Sequence, residues 1–101
     1  MSETIEKLVR TIRSRKGSDI KSSYTSFLLS EGNDYCLNKL KEEVDELKDA
    51  IKNKKNITHE AADVIYHLLV TLESAGINFD HIITELKKRE NSSGFEEKRN
   101  R

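Results

Sequence analysis

Apolar side chains recur at intervals of three and four residues along most of the chain. This spacing predicts five amphipathic helices, over residues 3–16, 24–31, 34–54, 58–75 and 80–89. No alternating pattern of the kind that strands require runs for a useful length. The pattern therefore indicates an all-α fold, a bundle of about four to five helices.

Glycine and short polar residues mark the ends of the predicted helices. Gly17, Gly32 and Gly76 each follow a helical pattern, where a C-terminal cap is common. Ser2 is available as the N-terminal cap of the first helix. The polar turn at 53–56 is short, so the third and fourth helices should pack as a central antiparallel hairpin.

Composition limits the size of the core and the class of partner. The 101 residues leave room for one domain, predicted at 1–90 and followed by a charged tail, 91–101, that we expect to be mobile. Apolar residues make up 35% of the chain and charged residues 36%, so a second copy would help to complete a thin core. The 18 basic and 18 acidic residues balance, which gives no global charge for binding nucleic acid or an anionic membrane.

The pattern of the chain favours the cytoplasm. The single cysteine, Cys36, cannot form an internal disulfide and is expected to be a small packing residue. Residues 1–13 alternate charged and aliphatic side chains, unlike a signal peptide. The longest apolar run, 65–72, is too short to span a bilayer. We expect a soluble, cytoplasmic protein that binds neither nucleic acid nor membrane.

Two pairs of carboxylates are the candidate chemistry. Glu43 and Glu46 lie three residues apart in the third helix, as Glu60 and Asp63 do in the fourth. At about 100° per residue, each pair lies beside the apolar stripe of its helix. If the two stripes pack together, the four carboxylates converge on one margin of the hairpin and repel one another unless a cation lies among them. Mg²⁺ fits, because it binds carboxylates and leaves positions for water and phosphate oxygens.

Such glutamates can also be only the solvent-exposed face of a helix, which keeps the protein soluble. The motif E-E-x-x-E occurs by chance in many charged helices, whereas two pairs on successive helices are less common. On the solvation reading, the chain is a non-catalytic helical dimerisation module. Spacing alone leaves both readings open.

The combined pattern E-E-x-x-E followed by E-x-x-D resembles the MazG-type superfamily of all-α nucleotide pyrophosphohydrolases. Its residues here are Glu42, Glu43, Glu46, Glu60 and Asp63. Within that superfamily, longer strings look like the phosphoribosyl-ATP pyrophosphohydrolase family, over about residues 5–89. These strings are SYTSFLLSEG (23–32), KLKEEVDEL (39–47) and EAADVIYHLLVTLESAGI (60–77).

The resemblance implies a Mg²⁺-dependent homodimer that hydrolyses phosphoribosyl-ATP to phosphoribosyl-AMP and pyrophosphate, an early step of histidine biosynthesis. Glu42 and Glu43 are the candidate catalytic residues, Glu42 as a further ligand or as the group that orients the attacking water. The downstream cyclohydrolase is a candidate partner. The expected metal ligands are Glu43, Glu46, Glu60 and Asp63.

Basic side chains are candidates for binding the polyanionic substrate. The resemblance favours Lys39, which lies one turn before Glu43, as a substrate contact. Arg13, Arg15 and Lys16 end the first helix, where they can bind phosphate or only complement the helix C-terminus.

The start of the second helix and one histidine complete the candidate site. Ser23, Tyr24 and Thr25 are substrate-binding candidates by resemblance, since a helix N-terminus offers backbone donors to phosphate. Ser23 can also be the N-cap, with Tyr24 packed in the core. His67 projects between Glu60 and Asp63 around its helix, where it can reach phosphate, support a ligand or be structural.

One position departs from the family pattern. The family usually has glycine directly before the two glutamates, whereas this chain has Lys41. That departure keeps open a related MazG-type enzyme that hydrolyses nucleoside triphosphates.

Overall fold

The chain folds into five α-helices, as the apolar spacing predicts. The computed structural model describes residues 3–90 and residue 99, and no strand occurs among them. No helix in this part of the chain is both long enough and apolar enough to cross a membrane. The helices are α1 (Glu3–Ser14), α2 (Tyr24–Glu31), α3 (Asn33–Asn53), α4 (Ile57–Ser74) and α5 (Phe79–Glu90).

The predicted helix boundaries are confirmed to within two residues, and local chemistry explains them. The Ser23 Oγ accepts a hydrogen bond from the Ser26 backbone N–H at 3.1 Å, which confirms Ser23 as the N-cap of α2. Gly32 separates α2 from α3 with φ +88°, a conformation that side-chain-bearing residues rarely adopt. The predicted cap Ser2 and most of the predicted mobile tail, 91–101, lie outside the described residues.

Helices α3 and α4 form the antiparallel hairpin that the short turn predicts, and they make the most extensive contact in the fold. The turn uses two left-handed residues, Lys54 at φ 53° and Asn56 at φ 58°. At the far end of the hairpin, the Thr71 hydroxyl donates to the Cys36 carbonyl at 3.3 Å. The same hydroxyl lies closer, at 2.7 Å, to the His67 carbonyl of its own helix, so the longer bond to Cys36 is a weak link between α3 and α4.

The buried core lies at the end of the molecule away from the hairpin turn. Its members come from four helices and are Ile12, Leu28, Cys36, Leu69 and Val70. Cys36 is 1% exposed, and its Sγ donates to the Leu28 carbonyl at 3.3 Å. The expectation that Cys36 is a packing residue is therefore confirmed.

The aliphatic stripes of α3 and α4 are covered only in part within this chain, since Leu40, Leu47, Leu69 and Leu72 are partly or fully buried. The exposed residues of these stripes, called the aliphatic ridge below, are 42–55% exposed: Leu37, Val44, Ile51, Ile65 and Leu68. The face of α3 that is most buried instead carries Cys36, Glu43 and Ala50, which recur every seven residues and so share one side of the helix. Small side chains at both ends of this face let α4 approach closely. The carboxylate of Glu43 is thereby drawn between the two helices.

Candidate metal and substrate site

Three carboxylates from the two arms of the hairpin converge on one point. One carboxylate oxygen from each of Glu43, Glu46 and Glu60 lies within 4.8 Å of the other two. Asp63 lies beside them, because its carboxylate forms a second such group with Glu60 and the ring of His59. The expectation that both acidic pairs face one another is met in the folded chain.

The hairpin brings these groups together because of its direction. In an antiparallel pair, residues progressively earlier in α3 lie opposite residues progressively later in α4. Glu46 therefore lies near Glu60 at the first turn of α4, and Glu43 lies near His67. The carboxylates need no loop to hold them, since rigid helices carry every one.

Burial and like charge make this cluster electrostatically costly. The Oε2 atoms of Glu43 and Glu60 are buried and have no hydrogen-bond partner in the described part of the chain. Burial raises the pKa of both carboxyls, and the negative charge of Glu46 raises it further. Unpartnered, buried carboxylate oxygens facing each other suit a hard divalent cation, which binds oxygen ligands.

His67 lines the inner side of this cluster. It is 6% exposed, and its Nδ1 lies 3.0 Å from the Asp63 carbonyl oxygen. A carbonyl can only accept, so Nδ1 carries the hydrogen and Nε2 is the remaining polar atom. Nε2 is buried and has no partner among the described residues. His67 is close enough to Glu43 to oppose part of the rise in the pKa of that carboxyl.

The N-terminus of α2 opens beside the carboxylates. The Tyr24 ring lies 6.1 Å from the His67 ring, centroid to centroid. Tyr24 is 53% exposed, so the expectation that it packs in the core is wrong. Tyr24 lies on the same side of α2 as the buried Leu28, but it is the first residue of the helix, where its ring contacts the rings of Phe27 and His67 and stays half exposed. Burial of its hydroxyl group still raises the pKa of the Tyr24 phenol.

Comparison with known proteins identifies the family. The model of the phosphoribosyl-ATP pyrophosphohydrolase family matches residues 5–90. This chain belongs to the phosphoribosyl-ATP pyrophosphohydrolase family. It is 42% identical to the phosphoribosyl-ATP pyrophosphatase of Roseobacter denitrificans, over 97% of this chain and 95% of that protein. It is 42% identical to the enzyme of the same name from Dechloromonas aromatica, over 98% and 94%.

A third relative is longer than this member of the family. The histidine biosynthesis bifunctional protein HisIE of Wolinella succinogenes is 41% identical over 96% of this chain, which spans 43% of that protein. The region shared with this chain is thus less than half of a protein with two functions.

Lys39 and Glu42, both in the family string KLKEEVDEL, pair with each other outside the carboxylate cluster. The Lys39 Nζ pairs with the Glu42 carboxylate at 3.3 Å, and the Glu42 side chain is 61% exposed. The Lys39 ammonium group donates to the Glu42 carboxylate, and this bond raises the pKa of Lys39. Lys39 also lies 5.6 Å from the Tyr35 ring centroid, and its charge partly offsets the rise in the Tyr24 pKa. Lys39 is therefore next to the α2 N-terminus.

Lys41, which replaces the family glycine, lies on the outer side of α3. Its side chain is 78% exposed, and its Nζ pairs with the Asp45 carboxylate at 3.3 Å. Neither residue belongs to the converging carboxylates. The substitution therefore leaves the cluster itself in place.

The basic residues predicted to end the first helix do not form one group with the cluster, and Arg15 and Lys16 lie beyond the end of α1. The Arg13 guanidinium pairs with Glu73 at 3.5 Å, and Glu73 follows Asp63 by ten residues, or about 15 Å along α4. Arg15 lies nearer to α2, because its carbonyl accepts a hydrogen bond from the Ser26 hydroxyl at 2.7 Å. The side chains of Arg15 and Lys16 are exposed.

Sequence reasoning missed two residues of this site. The Tyr66 hydroxyl lies 2.5 Å from the Thr25 Oγ1, across α4 and α2. His59 lies 3.3 Å from the Asp63 carboxylate, and their spacing of four residues was the available signal. For Tyr66 the only signal was its position beside His67 in the family string.

Proposed function

We propose that this chain hydrolyses phosphoribosyl-ATP to phosphoribosyl-AMP and pyrophosphate in histidine biosynthesis, and that the reaction depends on Mg²⁺. Membership of the family supports the substrate. The single observation that carries the chemistry is the convergence of Glu43, Glu46 and Glu60 within 4.8 Å. Carboxylates that served only solubility would be expected to face solvent and to lie apart from one another.

Glu43, Glu46, Glu60 and Asp63 are the proposed ligands of the metal. Their oxygen donors match the preference of Mg²⁺, and the buried Oε2 atoms of Glu43 and Glu60 have no other partner in the described residues. When bound, Mg²⁺ neutralises charge on the pyrophosphate leaving group and acidifies a water molecule that it holds.

The chain's own residues bind and orient the substrate in this proposal. Lys39 supplies positive charge to phosphate. The N-terminus of α2, formed by the N-cap Ser23 and by Tyr24 and Thr25, supplies backbone N–H groups. Both lie close to the carboxylates. Glu42 orients the attacking water or joins the ligands after release from Lys39. His67 supports the ligands from the buried side. Arg13 is a weaker candidate because it pairs with Glu73.

The working form proposed for this enzyme is a homodimer. The aliphatic ridge leaves five large apolar side chains exposed on the hairpin, and such a surface is typical of an interaction face. A second copy that covers the ridge would enlarge the thin core of a chain of 101 residues. We also propose a cytoplasmic location and a functional link to the downstream cyclohydrolase, which the bifunctional relative supports.

A substrate panel tests the proposed activity. Purified protein is given phosphoribosyl-ATP or each common nucleoside triphosphate, with Mg²⁺ or with a chelator, and pyrophosphate release is measured. We expect rapid release from phosphoribosyl-ATP only with Mg²⁺. Equal turnover of ordinary triphosphates would assign the chain to the related MazG-type activity. No release from any of them would favour the non-catalytic module.

A further inference from the structure

The hydrogen bond between Tyr66 and Thr25 joins two parts of the site that the sequence separates by 41 residues. Tyr66 belongs to α4, which also carries Glu60 and Asp63. Thr25 is the second residue of α2, directly after Tyr24. The two hydroxyl groups lie 2.5 Å apart and are partly buried. A bond in that position resists movement of α2 relative to the carboxylates.

The first turn of α2 has free backbone N–H donors, and a second hydrogen bond attaches it to the end of α1. The Ser26 N–H donates to the Ser23 hydroxyl oxygen, whereas the N–H groups of Tyr24 and Thr25 have no carbonyl partner within the helix. The Ser26 hydroxyl donates to the Arg15 carbonyl at 2.7 Å and ties this turn to the end of α1. Tyr66 thus supplies the attachment on the side that faces the carboxylates.

A second observation points to a ligand between these elements. The ring of His67, next to Tyr66, is almost fully buried, yet its Nε2 has no partner among the described residues. The exposed Tyr24 ring lies 6.1 Å from it. A buried acceptor atom without a partner is costly, and a hydroxyl group of a bound substrate or an ordered water beside Tyr24 would satisfy it.

We infer that Tyr66 is a positioning residue, which holds the first turn of α2 at the distance from the carboxylates that lets one phosphate chain reach both the N–H groups of α2 and a cation held by the carboxylates. This role rests on the proposed function, because it needs a phosphate-containing substrate that bridges the two. Tyr66 itself touches Thr25 and acts through it. Loss of its hydroxyl should weaken binding of the phosphate chain and leave binding of the cation alone unchanged.

The test replaces Tyr66 with phenylalanine in the full chain, which removes the hydroxyl and keeps the ring. KM and kcat for phosphoribosyl-ATP are measured at saturating Mg²⁺, and pyrophosphate affinity is measured by calorimetry in the same buffer. We expect Tyr66→Phe to raise KM and weaken pyrophosphate binding about fivefold to tenfold, the worth of about one hydrogen bond. The value of kcat should change by less than about twofold, because the reacting groups are untouched.

Partner variants separate positioning from a direct contact of Thr25. Thr25→Ser keeps the hydroxyl and should retain a KM near that of the wild type, whereas Thr25→Val should raise it. In the Thr25→Val background, Tyr66→Phe should cause no further rise, since the bond is already lost. Additive effects of the two substitutions would overturn the inference.

Ser74 offers a matched control. Its hydroxyl donates to the Asn33 Oδ1. This bond also spans 41 residues of sequence and also joins α4 to another helix, here α3. Ser74 follows Asp63 by eleven residues, about 16 Å along α4. Ser74→Ala should lower thermal stability and leave KM unchanged, and an equal rise in KM would reduce Tyr66 to a merely structural role. If the wild type does not cleave phosphoribosyl-ATP, the proposed function fails, but the pyrophosphate affinities still decide the role of Tyr66.

Discussion

The two halves of α4 have opposite surroundings. Its C-terminal half places Leu69 and Val70 in the core against Ile12 and Leu28, and these side chains are 6% exposed or less. Its N-terminal half faces Glu43 and Glu46 with carboxylates of its own. One continuous helix therefore joins the region that stabilises the fold to the region that resists folding unless its charge is compensated.

Stability and activity should separate along α4. Apolar burial at the core end contributes about 25 cal/mol per Å², and the charges beside it, Arg13 and Glu73, are of opposite sign and pair with each other. At the other end, burial and mutual repulsion raise the pKa of two carboxyls. Substitutions at the two ends should therefore have opposite signatures.

The largest effect is expected at Glu60, on activity. Glu60→Gln keeps the size of the side chain and removes the charge that would bind the cation. We expect the rate of pyrophosphate release to fall on the order of a thousandfold, as several kcal/mol of transition-state stabilisation are lost. Thermal denaturation of the metal-free variant should show equal or higher stability, since repulsion is relieved. A variant that is both inactive and destabilised would contradict this separation.

The reverse signature is expected at Leu28, which is fully buried. Leu28→Ala removes core contacts and should lower the free energy of unfolding by about 2–5 kcal/mol. Urea denaturation measures this loss. The value of kcat per folded molecule at saturating substrate should stay within about twofold of the wild type, because Leu28 belongs to the core and not to the carboxylate cluster. A large loss of kcat in fully folded protein would show that the two regions are not separable.

The third effect concerns the aliphatic ridge, which neither region buries. Ile51 is 55% exposed, and Ile51→Glu would place an uncompensated charge in the proposed dimer interface. We expect the dissociation constant of the dimer to rise on the order of a hundredfold, as measured by sedimentation across a range of concentrations. Ile20→Glu is the control, since Ile20 is 50% exposed but lies outside the helices. Equal loss in both, or a monomeric wild type, would remove the ridge as an interface.

The smallest effect is the response of metal-free protein to pH. Folding raises the pKa of the Glu43 carboxyl above its ordinary value of 4.5, so the folded state holds this proton more tightly than the unfolded chain. Its stabilising contribution is therefore complete below pH 4.5 and is lost as the pH rises through the raised pKa. Denaturation of wild type and Glu43→Gln at several pH values measures the difference.

The control for the pH series is Glu31→Gln, at an exposed position at the end of α2. It should keep the wild-type fall in stability over this range, whereas Glu43→Gln should flatten it. Saturating Mg²⁺ should reverse the trend in the wild type, because the cation favours the ionised carboxyls. The same slope in wild type and Glu43→Gln would show that this carboxyl is not strained by folding.

The apolar spacing predicted the helices, the hairpin and the approach of the acidic pairs, because all three depend on periodicity and on short connections. It did not predict that Val44 and Ile51 stay exposed. Periodicity identifies an apolar face but not the surface that covers it, and here the small residues Cys36 and Ala50 face α4 instead. The bond between Thr25 and Tyr66 could not be predicted either, since it depends on how α2 packs against α4 and α3 lies between them in the sequence.

If the carboxylates of α3 and α4 share one divalent cation, calorimetric titration of metal-free protein with Mg²⁺ will detect a site that needs both helices. We predict a binding event in the wild type that is lost in Glu46→Gln and equally in Glu60→Gln, one from each helix, and kept in Glu31→Gln. Binding that survives both substitutions, or that depends on one helix alone, would contradict the account.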